Sequence, residues 1–448
     1  MTRKQLQLCG ARALKAVLVS LALVTAAWAT TEKVIYAFQG GSNDGYYPES
    51  ALVSDKAGNL YGTTLTGGGY PNCSPFGESC GVVFQLTPQS SGGWKETVLY
   101  KFTGGADGGF VYNGLVIDGR GNLYGTTYLG GTPTGGCPGG TCGTVFQLSP
   151  PKTKTGAWKE TVLYSFCSQS GCTDGAYPVD RLILDKHGSL YGTTNVGGLE
   201  GGCNTSGFGG YGCGVVFKLT HAKKGWNESL LYTFNGSSDG GFPYAGVILD
   251  KGGNVYGSTY AYGSYGSGTV YKLSYSAKNK SWTQNTLYSF TGTSDGCCPT
   301  TPLMMDTAGN LYGTTPGDGA DYFGTVFELK HSKSGWNEKT LYTFTGGTDG
   351  GTPEASLVPK GNSLYGTTYA GGTGTGCGFS GTSPCGTVFK LTQSNGKWTE
   401  SVVYAFQGAS DGALPDNAVM FDKKGNLFGT TLGGGDYGVY GVAYEITP

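Results

Sequence analysis

The stretch Gly58-Asn59-Leu60-Tyr61-Gly62-Thr63-Thr64 decides how this 448-residue chain is read. It returns six times, with its central aromatic at Tyr61, Tyr124, Tyr191, Tyr256, Tyr312, Tyr365 and Phe428. Successive copies stand 63, 67, 65, 56, 53 and 63 residues apart, a period that marks a repeat architecture. Each copy sits in a unit of four short β-type runs separated by turn residues. The first run is Tyr-x-Phe with β-branched neighbours, as in Tyr164 and Phe166. The second ends on an Asp before a tight turn, as in Asp185. The third is Leu-Tyr-Gly-Thr-Thr, and the fourth is Gly-x-Val-Phe/Tyr-x-Leu, as in Val216-Phe217-Lys218-Leu219. The sixth unit departs from the second run, with Pro359-Lys360 where the others carry Asp.

Glycine reaches 84 residues, close to a low-complexity level, but 31 Tyr, 20 Phe and 7 Trp recur at fixed repeat positions, which a disordered chain does not show. Four strands in each of seven units predict an all-β, seven-bladed β-propeller. A β-solenoid fits less well, because its coils are about 20–30 residues long. The phase of the repeat adds a topological expectation. The chain after residue 29 opens on a lone Tyr-x-Phe strand and ends on a fourth-type strand. With the second run innermost, Val34–Phe38 is expected to pair with Val442–Ile446 and close the ring, leaving no open sheet edge.

Residues 1–29 are expected to be a cleavable signal. Arg3, Lys4, Arg12 and Lys15 precede an apolar run, Ala16 to Ala27, and Ala27-Trp28-Ala29 fits a small-x-small cleavage site. The domain is then 30–448, exported to the periplasm, cell surface or medium, with no membrane span and expected to be monomeric. Of 13 cysteines, Cys9 lies in the leader. Ten of the rest form close pairs: Cys73/Cys80, Cys137/Cys142, Cys167/Cys172, Cys203/Cys213 and Cys377/Cys385. In an exported chain these read as disulfides, while the spacing of metal sites is missing. Cys297 and Cys298 are adjacent, as either a vicinal bridge or two thiols.

The predicted strand order puts two loop sets on one face, here called the top: the loop after Tyr-x-Phe and the long loop after Thr-Thr. These loops are essentially free of Lys and Arg, mildly acidic and rich in aromatics. Tyr47, Tyr70, Phe110, Tyr128, Tyr177, Tyr211, Phe242, Tyr262, Tyr322, Tyr369 and Tyr437 are the candidate binding residues, suited to stacking on uncharged sugar rings. No cofactor is expected, although an acidic rim would tolerate Ca²⁺ or cationic groups. The bottom face collects the lysines, the three histidines and a recurring Trp. With a net charge of -1 and a lysine-poor top, nucleic acid is not an expected partner.

The recurring Asp-Gly reads as a turn in which Asp caps backbone N–H groups. Gly-Asn-Leu-Tyr-Gly-Thr-Thr lacks the lysine and following helix of a phosphate loop, and Gly62 and its counterparts are expected to allow close packing between blades. The bottom Trp is expected to pack on its hairpin, and no His has the setting of a triad or metal site. Catalytic residues are not assigned.

The motifs Asp-Gly-x-x-Pro, Gly-Asn-Leu-Tyr-Gly-Thr-Thr, Gly-Thr-Val-Phe-x-Leu and Leu-Tyr-x-Phe, which span nearly the whole chain, resemble the GloVer tandem repeat of exported bacterial proteins. The strand plan is similar to NHL-type propeller blades, which mostly serve as binding platforms. The resemblance implies a signal peptide and no established activity. It also implies a C-terminal sorting tail, not expected here because Pro448 follows the last strand directly. The first expectation for function is therefore a secreted, non-catalytic platform for a glycan or another surface polymer. The alternatives are a structural or adhesion protein whose basic bottom docks on an anionic envelope, and a propeller glycosidase or polysaccharide lyase using acids such as Asp318 and Asp321.

Overall fold

The computed structural model describes residues 30–447 apart from 71–72, 74–78, 113, 133–140, 154–155, 199–202, 204–211, 318–322, 334, 378–383 and 438. Seven antiparallel sheets form the seven blades of a propeller. In blade 1 the strands run Val53–Ser54, Leu60–Thr64, Val82–Pro88 and Trp94–Lys101 from the axis outwards. Blade 7 takes its outermost strand, Thr31–Ala37, from the start of the described chain. That strand pairs antiparallel with Val442–Thr447, with Val34 opposite Tyr444 and Ala37 opposite Val442. The expected ring closure is therefore present.

Each residue of the repeated heptapeptide has a separate duty. Leu60 enters the core. Tyr61 donates its hydroxyl to Asp55 at 3.0 Å, and its ring meets Trp158 of the next blade edge-on at 6.1 Å. Phe428 meets Trp94 at 5.8 Å in the same way. The bottom tryptophans thus seal the seams between blades. Gly62 lies opposite Phe84 on the neighbouring strand, and a Cβ there would come within 2.5 Å of the Phe84 ring. Gly257 and Gly429 clear Tyr271 and Tyr444 likewise. The glycine thus makes room within its own blade, not between blades as its position in the repeat suggests. Thr63 and its counterparts donate across the seam to the axial segment of the next blade, as in Thr193 to the Ala245 carbonyl at 2.9 Å and Thr430 to that of Ser50 at 3.0 Å. In blade 4 this residue is Ser258, whose buried hydroxyl has no partner.

The Tyr-x-Phe strand works on both sides of its seam. A one-residue bulge precedes the tyrosine, as at Leu99, Leu163 and Leu231. The tyrosine hydroxyl then reaches the Asp of Asp-Gly in all seven units, from Tyr36 to Asp44 at 3.0 Å through Tyr404 to Asp411 at 2.9 Å. That Asp also accepts backbone N–H groups, such as Gln39 and Gly45 on Asp44, so the Asp-Gly motif is a turn cap. The phenylalanine crosses into the next blade and packs edge-on against its third-strand aromatic, with centroids 5.0–5.1 Å apart at every seam.

Four residues before each of these tyrosines stands a carboxylic acid: Glu32, Glu96, Glu160, Glu228, Glu338 or Glu400. Blade 4 has Gln284 instead. All six glutamates are half-buried beside the Asp of an Asp-Gly turn. Burial first, and that neighbouring charge second, raise each to about 7; Asp295 acts on Glu338 together with an opposing Thr340 hydrogen bond. Lys101 partly offsets the rise at Glu96. Gln284 shows what the site asks for: its amide donates to the Asp239 carbonyl and to Thr286. Only a protonated glutamate can donate in the same way. Because the folded state binds these protons more tightly than the unfolded chain, their contribution to stability is fully present below about pH 4.5 and is lost as pH rises through 7. Thermal midpoints at pH 5 and pH 8 are expected to differ by on the order of 5 °C, with the lower value at pH 8. Replacing all six glutamates by Gln should flatten this slope; an unchanged slope in that variant would show that these groups do not cause it.

Candidate functional site

The first turn of each top loop is clasped. Gly45–Tyr46 pairs with Thr66–Gly67, and isolated bridges such as Gly109 to Leu129 and Ala413 to Gly433 repeat the contact elsewhere. The residue before the repeated Pro, or before Val111 in blade 2, is held left-handed in every blade: Tyr47, Phe110, Tyr177, Phe242, Cys298, Thr352 and Leu414 have φ of 54–61°. Its N–H bonds to the preceding blade, as Phe110 to the Cys80 carbonyl at 3.0 Å and Leu414 to that of Cys385 at 2.8 Å. The cysteines at these points are bridged: Cys73–Cys80, Cys167–Cys172, Cys203–Cys213 and Cys377–Cys385, with Cys297 bonded to Cys298. Cys137 lies outside the described residues.

This backbone corrects part of the aromatic set. Phe110 and Tyr177, each 6% exposed, are packed into core clusters. Tyr177 there stacks against Tyr128 at 4.9 Å. Phe242 and Tyr262 pack on each other at 5.6 Å. Tyr70 and Tyr437 are exposed, at 46% and 54%. Tyr211, Tyr322, Asp318 and Asp321 lie outside the described residues.

After the repeated Pro the chain turns down along the axis, so the next residues of all seven blades surround one point. They enclose an axial cavity of about 410 Å³ at the top mouth. Its walls differ. On blades 2 and 4 stand Tyr112, Tyr128 and Tyr244. Tyr112 meets Tyr128 edge-on at 5.2 Å, and Tyr177 braces Tyr128 from behind. On blades 6, 7 and 1 stand Glu354, Asp416 and Glu49. These three carboxylates also line a depression of about 630 Å³ with Tyr47, Leu65, Tyr369 and Leu432. Two of the candidate aromatics, Tyr47 and Tyr369, therefore face one hollow, and Tyr128 faces the other.

Burial raises all three carboxyls. Asp416 is pushed up to about 7 by burial and then by Glu354. Glu49 is pushed well up by burial, then by Asp416 and Glu354, and Glu354 rises through burial alone. Across the cavity, Asp180 has a left-handed backbone with φ 98° and accepts the Gly246 N–H at 2.7 Å. Burial raises it to about 6 against those hydrogen bonds and the Arg181 charge. Arg181 is the one cation lining this cavity among the described residues. These axial residues escape a reading of the sequence because Glu49, Glu354 and Asp416 are far apart in the chain. The position just after the Asp-Gly-x-x-Pro motif was the available signal.

The fold is a seven-bladed propeller with a cavity on its axis. The chain matches the Gloeobacter/Verrucomicrobia repeat over residues 17–205 and 202–379, and it belongs to that family. No curated protein matches it in sequence. Among solved structures it is similar to a luciferin-regenerating enzyme (12% identity, 94% of this chain and 95% of that one covered, TM-score 0.44). It is also similar to a PL25 ulvan lyase (10%, 92% and 95%, 0.45) and to an ancestral GH74 enzyme (11%, 90% and 50%, 0.47). At these scores the likeness concerns general architecture only.

Coupling within the carboxylate wall has a direct check. In a Glu354→Gln variant the Asp416 midpoint is expected to fall from about 7 but to stay above 3.8, since burial, the larger cause, remains. Carboxyl ¹³C titration reads this, and an unmoved midpoint would leave burial as the whole cause.

Proposed function

We propose that the protein is an exported, non-catalytic binding module that takes a segment of glycan at the top mouth of its axis. Its first 29 residues would serve as the cleaved signal. The observation that carries this reading is the two-sided axial cavity, with tyrosine rings on one wall and carboxyls on the other. Ring faces stack on the apolar faces of sugars, and carboxyls accept hydrogen bonds from their hydroxyls. The Thr300 hydroxyl lines the same cavity and is buried without a partner, so it has hydrogen-bonding capacity to spare. Exposed Tyr70 and Tyr437 on the rim would extend contact along a polymer.

One observation favours a second reading. Adjacent carboxyls with raised and unequal affinities for protons are the usual material of acid–base catalysis. Hydrolysis of a glycosidic bond at Glu49, Glu354 and Asp416 would use one of them as acid and another as base.

A single assay separates the two. The oxidised protein is offered a panel of polysaccharides with and without Ca²⁺, and the same wells are assayed for released reducing ends. Binding without release is expected. Tyr128→Ala and Tyr244→Ala should each weaken it about tenfold or more, as loss of a central interface aromatic does. Release of reducing ends would replace the proposal by the enzymatic reading, and unchanged affinity in both variants would move the site away from the axis.

A further inference from the structure

The face opposite the cavities carries a charge pattern that the proposed glycan site does not use. Two sets of turns end there. The turns between the first and second strands present Lys56, Arg120, Lys186, Lys251 and Lys424, all exposed. The turns between the third and outermost strands present Lys152, Lys223, Lys278, Lys333 and Lys397, also exposed. The first set comes from blades 1, 2, 3, 4 and 7 and forms an incomplete ring around the axis, and the second comes from blades 2–6 and forms a wider incomplete ring around the rim.

The acidic residues of these turns do not offset them. Asp55 accepts the N–H groups of Ala57 and Asn59, the Asn59 amide and the Tyr61 hydroxyl, and Asp118, Asp250 and Asp306 repeat the arrangement. Each is therefore drawn inward and satisfied. Among the described residues the one fully exposed carboxylate is Asp436, on a top loop. The overall charge of -1 thus conceals a separation of cations to one face.

We propose that this bottom face docks on the surface of a bilayer bearing anionic phospholipid headgroups. The inference is independent of what fills the axial cavity. Two concentric incomplete rings on one end of a rigid disk can all meet a plane at once, whereas a polymer strand would touch only a few of their members. The face has little to insert: its tryptophans are packed in the seams, and Tyr275 is its one exposed large hydrophobic side chain among the described residues. Attachment is therefore peripheral, electrostatic and screened by salt. It would leave the top mouth facing away from the membrane.

The test is co-sedimentation of the oxidised mature protein, residues 30–448, with liposomes. Vesicles of phosphatidylcholine with about a third phosphatidylglycerol are compared with pure phosphatidylcholine, at low and high salt. Retention is expected on the anionic vesicles alone, at least about tenfold weaker at high salt. The variant Lys56→Glu/Lys186→Glu/Lys251→Glu/Lys424→Glu should lower partitioning roughly a hundredfold or more. Should that variant misfold, Lys152→Glu/Lys223→Glu/Lys278→Glu/Lys397→Glu, on separate turns, should act in the same direction. Equal retention on neutral vesicles, retention unchanged in folded variants, or capture only by soluble polyphosphate would each overturn the proposal.

Discussion

Each blade is held to the next by one phenylalanine, set edge-on against the third-strand aromatic of its neighbour. An aromatic pair of this kind contributes about 0.5–1.5 kcal/mol beyond the area it buries. The contact recurs at seven seams, and much of the remaining repeat follows from it. The third-strand ring must lie flat over the second strand, which excludes a side chain there and explains Gly62, Gly125 and Gly313. The phenylalanine must cross the seam at a fixed point, and the bulge before Tyr-x-Phe supplies the bend. The tyrosine two residues earlier is then aimed at Asp-Gly, which fixes the crossover loop. A ring built from such contacts tolerates no missing member. The strand Thr31–Ala37 carries Phe38 to Phe84 of blade 1, so closure completes the aromatic circuit as well as the hydrogen-bond ladder.

A frame so uniform makes its exceptions informative. Seven copies of one unit within a single chain act as their own comparison. Where the copies agree, the contact explains the agreement: Thr63 and its five threonine counterparts cross the seam, and Asp44 and its counterparts hold the turn in all seven units. Immediately after Pro48 and its counterparts the residues are Glu49, Tyr112, Val179, Tyr244, Thr300, Glu354 and Asp416. No packing duty selects among these, because each faces the axis. The variation sorts by position around the ring, with tyrosines at blades 2 and 4 and carboxyls at blades 6, 7 and 1. The asymmetric site is thus obtained by changing one residue per blade on a symmetric support.

The fold was legible because its signal is periodic. Tyr-x-Phe, Asp-Gly and Leu-Tyr-Gly-Thr-Thr recur with invariant order, and their phase alone placed the strand Val34–Phe38 beside Val442–Ile446. The site was less legible for two physical reasons. First, proximity at the axis joins residues 49, 354 and 416, and no spacing along the chain announces it. Second, an aromatic in a top loop can point either way. Tyr47, Phe110 and Tyr177 occupy the same repeat position with the same left-handed backbone, φ 57–59°, yet Phe110 and Tyr177 are packed in core clusters while Tyr47 lines a hollow. Arg181 was missed for a related reason: it reads as part of the innermost strand, yet it opens that strand at the cavity wall.

The carboxylates show how place in the repeat, more than residue type, governs chemistry. Burial pushes Asp55, Asp118 and Asp250 up, but hydrogen bonds from the turn outweigh it and hold them below the usual range. Glu96 and its counterparts sit in the seam with an acidic neighbour and too few donors, and they keep their protons to about pH 7. At the axis, Asp416, Glu49 and Glu354 stand close to one another and burial raises all three. In the seam, Oε1 of Glu32, Glu96, Glu160, Glu228 and Glu400 is buried without a hydrogen-bond partner, at a position where Gln284 donates to the Asp239 carbonyl and to Thr286. The axial carboxyls differ in lining an open cavity, where the hydroxyl groups of a ligand have room to donate to them, and this is the physical reason for placing the proposed binding at the axis.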